Sequence, residues 1–335
     1  MFDPSSKHFP DFVTTLPTMQ GKTVAITGTT SGTGKVAADT VASLGGTVLV
    51  LNRASDRSTK SYSELIKAHP TADVHAVECD LQSFDSVRAA AAQVSSLCPD
   101  GLDVLCNNAG VMALADTATI DGYDIQMQTN HLSHFLLTRE LMALLETAAE
   151  ARGGARVVNH SSIARMSPSR KLAGKYLGRN GGELGGDGLG IENIMMNGPR
   201  WRRYNQSKLA NAAFTAALHQ RLQAQSSKVK ALVAHPGLAN THLQTNSVRD
   251  GGMGSIFTGF FMRFAQSSED GAMGILSCMC LADAESGQFY GPGSGMTAMR
   301  GKAKPFALES FYDNEATRKL LWSLSESAIG ATFDI

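Results

Sequence analysis

Tyr204 and Lys208 stand four residues apart in the stretch Arg200–Gln220 (RWRRYNQSKLANAAFTAALHQ). The stretch reads as a helix, because Leu209, Ala212, Ala213, Ala216 and Ala217 recur at helical spacing among good helix formers. Side chains four apart leave one face of a helix about one turn from each other. A free phenol titrates near ~10, and a fixed ammonium beside it favours the phenolate. The pair is therefore a device for moving a proton near neutral pH. The same spacing arises by chance in many helices, so the rest of the chain has to decide whether it does chemistry.

The segments that would position such a pair begin with Lys22–Thr27 (KTVAIT), a short apolar run followed by GTTSGTGK and a helical pattern from Val36 to Leu44. A strand, a glycine-rich turn and a helix in that order open a dinucleotide-binding βαβ unit. Gly28 permits the tight turn, and Gly32 and Gly34 let phosphate and helix approach the backbone. The glycines are spaced Gly-x-x-x-Gly-x-Gly. A second strand, Thr47–Leu51, ends in Asn52 and Arg53. An NAD site carries a carboxylate hereabouts for the ribose 2′-hydroxyl, whereas an amide and a guanidinium suit a 2′-phosphate. A solvated loop charge is the plain alternative for Arg53.

Further along, a polar helix near Thr59–His69 leads to a strand at Asp73–Glu78 and then Cys79, Asp80 and Leu81. Asp80 is placed to cap the next helix or to touch an adenine. After helix Phe84–Leu97, strand Leu102–Cys106 runs into Asn107–Gly110, small residues at the end of a central strand where a cofactor would pass. A long helical segment, Asp121–Glu150, holds Asn130 near its middle; asparagine is a poor helix former, so a buried Asn130 must gain something from its side-chain bonds. His131 and His134 beside it read as packing or surface residues. Strand Ala155–Asn159 ends at His160, Ser161 and Ser162, and strand Val229–Ala234 at His235, Pro236 and Gly237. Between Ile163 and Pro199 periodicity is lost, with a glycine-rich part from Gly178 to Gly190. Long irregular connections in compact proteins are usually functional or mobile.

Met253, Ile256, Phe257, Phe260, Phe261 and Phe264 form one apolar stripe at helical spacing, read first as a lid over an apolar pocket, then as core, then as a lipid-facing surface. Helices at Ser267–Asp283 and Asn314–Ser327 flank a seventh strand at Gly287–Tyr290. With Lys+Arg 30 against Asp+Glu 30, the chain has no general electrostatic reason to bind nucleic acid or an anionic membrane. The five cysteines show no CxxC pair or zinc-ligand spacing, which predicts buried free thiols and no metal. No run approaches the ~18 apolar residues of a transmembrane helix. The first twenty residues lack a signal-peptide pattern, so a cytoplasmic protein with an N-terminal extension over 1–20 is expected.

TGTTSGTGK (27–35), CDL (79–81), NNAGVM (107–112), NHLSHFLLT (130–138), VVNHSS (157–162), YNQSK (204–208), HPGLANT (235–241) and FYGPG (289–293) occur in an order and spacing that resemble the short-chain dehydrogenase/reductase family, closest to its retinol-dehydrogenase-like, NADP-using branch. The resemblance implies a catalytic tetrad of Asn130, Ser162, Tyr204 and Lys208. Ser162 is taken over Ser161 because the family's serine is normally the second of such a pair. It implies a cofactor site of Gly28, Ser31, Gly32, Thr33 and Gly34 at the pyrophosphate turn, Arg53 and Lys35 at the 2′-phosphate, and Asp80 and Leu81 at the adenine. Asn108, Ala109 and Gly110 would lie along the ribose, Pro236, Gly237 and Thr241 at the nicotinamide end, with Tyr204 and Lys208 also touching cofactor. Thr33 and His160 depart from the family's usual aliphatic residues, and His242 follows Thr241.

These readings predict an α/β protein: one Rossmann domain over 21–335, doubly wound, with a mostly parallel sheet of about seven strands and helices on both faces. A long insertion is expected at 163–203 and a substrate lid at 245–266. The implied activity is NADP(H)-dependent interconversion of an apolar carbonyl and its alcohol. The implied partners are that small molecule alone, without nucleic acid or membrane, and a homo-oligomer is compatible with the reading. The alternatives are a non-catalytic NADPH-binding regulator, a double-bond reductase like protochlorophyllide reductase, and a membrane-attached lipid enzyme.

Overall fold

Alternating apolar runs and helical patterns give eight strands in one sheet, ordered β3-β2-β1-β4-β5-β6-β7-β8, in a computed structural model that describes residues 5–166, 169–186, 198–239, 265–292 and 299–335. The strands are β1 (Thr23–Thr27), β2 (Thr47–Asn52), β3 (Val74–Glu78), β4 (Val104–Asn107), β5 (Ala155–His160), β6 (Val229–Ala234), β7 (Gln288–Gly291) and β8 (Lys304–Ala307). β1 to β7 are parallel, and β8 pairs antiparallel with β7. The expected seven strands are all present; β8 is an addition. Its sequence, KPFA, hides it, because a proline cannot donate to a ladder and is tolerated only at an edge such as this one.

Side chains alternate across the sheet with the period of two that a strand imposes. Val24, Ile26, Val48, Val50, Val104, Cys106, Val158 and Leu232 face one layer of helices: α1 (Phe9–Val13), α2 (Gly32–Ser43), α3 (Asp56–Ala68) and α8 (Ser268–Cys280). Ala25, Leu49, Leu51, Leu105, Val157 and Val233 face the other, made of α4 (Phe84–Leu97), α6 (Ser133–Arg152), α7 (Pro199–Ala224) and α9 (Glu315–Ile329). Covered on both faces, the strands read as continuous apolar runs, as parallel sheets do. The five cysteines are buried thiols. Among the described residues, no helix is long and apolar enough to cross a membrane.

Three local differences from the expected elements have physical causes. The 1–20 segment contains helix α1, whose chain start is held by Asp270: its carboxylate accepts the backbone N–H groups of Lys7, His8 and Phe9. The helical segment expected from Asp121 is broken into α5 (Ile125–Met127), a π-helical turn at Gln128–Leu132, and α6. Among its described residues the long insertion forms two 3₁₀ turns, Ile163–Met166 and Gly174–Leu177, and α7 begins at Pro199. The stripe Met253–Phe264, and all but the last two residues of the 245–266 lid, lie outside the described residues.

The sheet's first crossover reversal, between β1 and β4, puts the carboxyl ends of β1, β4, β5 and β6 side by side. Buried histidines sit around this edge. Burial pushes His131, His134 and His160 down to about 3, 4 and 3, and His235 well below 6.5. Between pH 6.5 and those values, only the unfolded chain binds the proton. Stability is thus full above pH 6.5 and lost as pH falls through that window, by about 1.4 kcal/mol per pH unit for each linked histidine. Calorimetry should find Tm level above neutrality and falling steadily from pH 6.5 downward; a Tm that holds to pH 5 would contradict these neutral, buried rings.

Candidate active site

The glycine-rich turn is built by the two strands beneath it. Asn52 at the end of β2 brackets Thr29, accepting from its N–H at 2.9 Å and donating to its hydroxyl at 2.8 Å. A carboxylate at that position could only accept, from the N–H and from the hydroxyl. Gly28 takes φ +72°, and a Cβ there would lie 2.8 Å from Cα of Ala109. A Cβ on Gly34 would lie 2.3 Å from both the Asn108 amide nitrogen and the Gly28 carbonyl oxygen. Gly34 therefore serves the packing of α2 on the strand ends, whereas Gly32, at φ +59°, shapes the turn.

No side chain caps the start of α2, where Ser31 is the capping residue. The first-turn N–H groups of a helix lack intrahelical partners and favour an anion. The Ser31 hydroxyl accepts instead from the Arg57 guanidinium at 2.6 Å. Arg57 was not singled out in the sequence; its signal is a second base four residues after Arg53, within the first turn of α3. Arg53 is exposed, and Lys35 is turned to Glu64 in a surface ion pair. Two guanidinium-bearing residues thus follow β2 beside an uncapped helix start, a donor set that fits an anionic dinucleotide with a 2′-phosphate.

Asn108 ties this turn to the neighbouring strand ends. Its Nδ2 donates to the carbonyls of Thr27 and Gly28, at 2.8 and 3.1 Å. Its Oδ1 accepts from the Thr33 hydroxyl at 3.1 Å and faces His160 Nδ1 at 2.9 Å, which fixes the proton on that ring nitrogen. The two departures from the family's aliphatic residues, Thr33 and His160, thus satisfy one acceptor together. The side chains of Thr33 and Asn108 thus point into this packing. Leu81 behaves alike: its side chain joins the main core and its carbonyl accepts from Ser133. Asp80 accepts from the N–H of Gln82, and Ser83 is the residue that caps α4. Gln266 donates to the carbonyl of Pro236, and Gly237 takes φ +64°. Thr241 and His242 lie outside the described residues.

Ser162, Tyr204, Lys208 and Asn130 converge beside that edge. Ser161 turns inward and donates to the carbonyl of Lys208 at 2.7 Å, which leaves Ser162, half-buried, as the serine facing the phenol. Lys208 Nζ donates to the carbonyl of His160 at 3.0 Å and lies 5.9 Å from the centre of the Tyr204 ring. Asn130 sits in the π-helical turn, and its amide accepts from Val111 N–H at 2.7 Å and donates to Val111 O and Ser207 Oγ. That is the compensation its place in a helix requires. Both amide protons are therefore engaged, and the Asn130 carbonyl accepts from His134 Nδ1. Gly110 leaves room for this group, since a Cβ there would meet Asn130 Oδ1 at 3.0 Å and Lys208 Nζ at 3.2 Å.

The electrostatics of the pair differ from the sequence expectation. Burial pushes the Tyr204 phenol up to about 12, with the Ser162 hydroxyl working in the opposite sense. Burial also pushes the Lys208 ammonium down to about 8. The expected lowering of the phenol by Lys208 does not emerge; desolvation dominates both groups, because both sit out of water.

The chain matches the short chain dehydrogenase family over residues 22–174. It is 32% identical over 324 residues to retinol dehydrogenase 14 of Mus musculus, an alignment covering 93% of this chain and 87% of that protein. The chain belongs to the short-chain dehydrogenase/reductase family. Within the family it is also 34% identical over 226 residues to retinol dehydrogenase 13 of Homo sapiens; there the match covers 68% of this chain and 61% of the relative's length. A crystal structure of an uncharacterized protein from Mycobacterium Paratuberculosis is similar at 31% identity and TM-score 0.68, covering 96% of this chain and 98% of that one.

This oxidoreductase family's nucleotide turn can be tested at its tightest point. Gly34→Ala should weaken NADPH binding by roughly tenfold and cost about 1–3 kcal/mol of stability, because neither the Gly28 carbonyl nor Asn108 can yield without breaking the other's bond. Fluorescence titration and thermal melts check it; unchanged binding would show that the close contact is not needed.

Proposed function

We propose that this protein is an NADP(H)-dependent oxidoreductase that interconverts an apolar ketone or aldehyde with its alcohol, with Tyr204 as the acid. The observation that carries the proposal is the gathering of a protonated, buried phenol, a half-buried serine hydroxyl and a buried ammonium at the strand ends beside the nucleotide turn. Residues of the glycine turn and the first turn of α2 would hold the pyrophosphate, and Arg53 and Arg57 the 2′-phosphate. NADPH, when bound, supplies the hydride.

Ser162 donates a hydrogen bond to the substrate's carbonyl oxygen and orients it at Tyr204. The Tyr204 O–H bond then breaks as a new O–H bond forms on that oxygen. A phenol pushed up to about 12 stays protonated at neutral pH, which suits the reduction direction. Lys208, close by in a water-poor site, compensates the phenolate left behind. Asn130 holds the Val111 backbone, which follows the Gly110 that lies against Lys208. The apolar character of the substrate is supported by the small cluster of Met112, Ala113, Trp201 and Tyr204, packed with Ala164 and separate from the two main cores.

Tyr204→Phe should lower kcat for carbonyl reduction by about 10²–10⁴-fold while NADPH binding stays near normal. In the wild type, kcat/KM for NADPH should hold through neutrality and fall as pH rises past about 8, where Lys208 loses its charge. Lys208→Met should be slow at every pH and lack that limb; a limb that persists would remove Lys208 from the mechanism.

Cofactor choice has its own test. A charge-assisted hydrogen bond is worth ~1.5–3 kcal/mol, so Arg57→Ala should weaken NADPH by about ten- to a hundredfold and leave NADH nearly unchanged. Arg53→Ala should act in the same direction. Wild-type protein that binds NADH as tightly as NADPH would end the NADP assignment.

A further inference from the structure

Among the described residues, Arg203 heads the fully buried side chains by volume, and it directly precedes Tyr204. Its Nη1 lies 2.6 Å from Oδ1 of Asp124, itself buried. Three further bonds go to carbonyls: Nη2 to Leu114 at 2.8 Å, Nη1 to Ala115 at 3.5 Å and Nε to Gly185 at 3.3 Å. A guanidinium offers five N–H donors in a rigid planar fork, and a lysine could not reproduce this set.

The four acceptors belong to three pieces of the site. Asp124 also accepts from Met127 N–H at 3.0 Å, capping α5, which leads directly into the π-helical turn of Asn130. Leu114 and Ala115 follow Ala113, whose φ of +50° is left-handed and unfavourable for alanine. Such a backbone persists only where its surroundings hold it. Met112 and Ala113 are the residues that pack with Trp201 against Tyr204, the two rings meeting edge to face at 6.0 Å. Gly185 belongs to the glycine-rich insertion, whose N–H groups at Gly182, Leu184 and Gly185 converge on the Asp116 carboxylate and whose Gly186 carbonyl accepts from Arg200.

We propose that Arg203 is a positioning residue: it sets where the apolar wall of Met112, Ala113, Trp201 and Ala164 stands relative to the Tyr204 hydroxyl, and it fastens the glycine-rich insertion behind that wall. The inference rests on the oxidoreductase reading for its catalytic consequence. A prochiral ketone presents two faces, and the hydride reaches whichever one the wall turns toward it. A wall displaced by a fraction of an ångström loosens that choice, whereas a merely less stable protein does not, because unfolded molecules make no product.

The test is reduction of acetophenone with NADPH by wild type, Arg203→Lys and Asp124→Asn, with the two alcohol enantiomers separated by chiral chromatography. Asp124→Asn can keep the cap on Met127 only by turning its NH2 toward Arg203, so it removes both the charge and the acceptor that Arg203 uses, and it reports even if the arginine variant fails to fold. The enantiomeric ratio and kcat should each fall by roughly tenfold, while the Kd for NADPH stays within about twofold of wild type. An unchanged enantiomeric ratio in the folded variants overturns the inference, whatever happens to Tm or rate. If the wild type reduces none of a panel of ketones and aldehydes, the oxidoreductase reading fails instead, and positioning is read without substrate. Trypsin then cuts folded protein after the exposed Arg179 of the insertion; about fivefold faster cleavage in Arg203→Lys supports the fastening, and an unchanged rate overturns it.

Discussion

The side-chain amide of Asn108 joins the segments that must meet for this site to exist. Its two protons hold the end of β1 at Thr27 and Gly28, and its oxygen takes Thr33 from α2 and His160 from β5. Thr27 answers from the other side, its hydroxyl accepting the backbone N–H groups of Asn108 and Ala109. An amide is the side chain for this role because it offers two donors and an acceptor with two lone pairs in one plane. The close approach needs Gly34 to have no Cβ. The shape of the nucleotide turn thus depends on polar groups satisfied inside the protein, and leaving any one unpaired would cost its desolvation.

The same burial sets the charge states at the candidate site. Tyr204, Lys208, His134 and His160 occupy one water-poor region, and each moves toward its neutral form. The His160 carbonyl is the anchor there, accepting from both Lys208 and Asn211 at 3.0 Å. One residue of β5 therefore positions the ammonium with its backbone and the nucleotide turn with its ring. The serine turn that follows is held from the far edge of the sheet. Arg165 donates to the Ser162 carbonyl, grips both oxygens of Glu309 and stacks 4.2 Å over Phe289. The short β8 hairpin, remote from the glycine turn, reaches the candidate site through that contact.

Much of this was legible in the amino-acid sequence. Seven strands and their helices follow from apolar periodicity, because a strand buried on both faces and an amphipathic helix each leave a pattern of fixed period. The glycine turn, the Tyr204–Lys208 pair and the need of Asn130 for side-chain partners follow from residue type and spacing, which are local properties. So does the absence of a carboxylate directly after β2, on which the NADP proposal draws.

What tertiary structure alone decided concerns direction and burial. Whether Ser161 or Ser162 faces the phenol depends on which hydroxyl the Lys208 carbonyl takes. The phenol's rise to about 12 depends on water being excluded from both partners, which no spacing encodes. Thr33 and His160 looked like separate departures until Asn108 was seen to accept from one and face the other. Arg57 and Arg203 carry no mark of their roles in the sequence, because a charge reveals its partner only when segments distant in sequence are brought together. Periodicity reports which face of an element is covered; it carries no information about which polar groups meet once several faces close on one another.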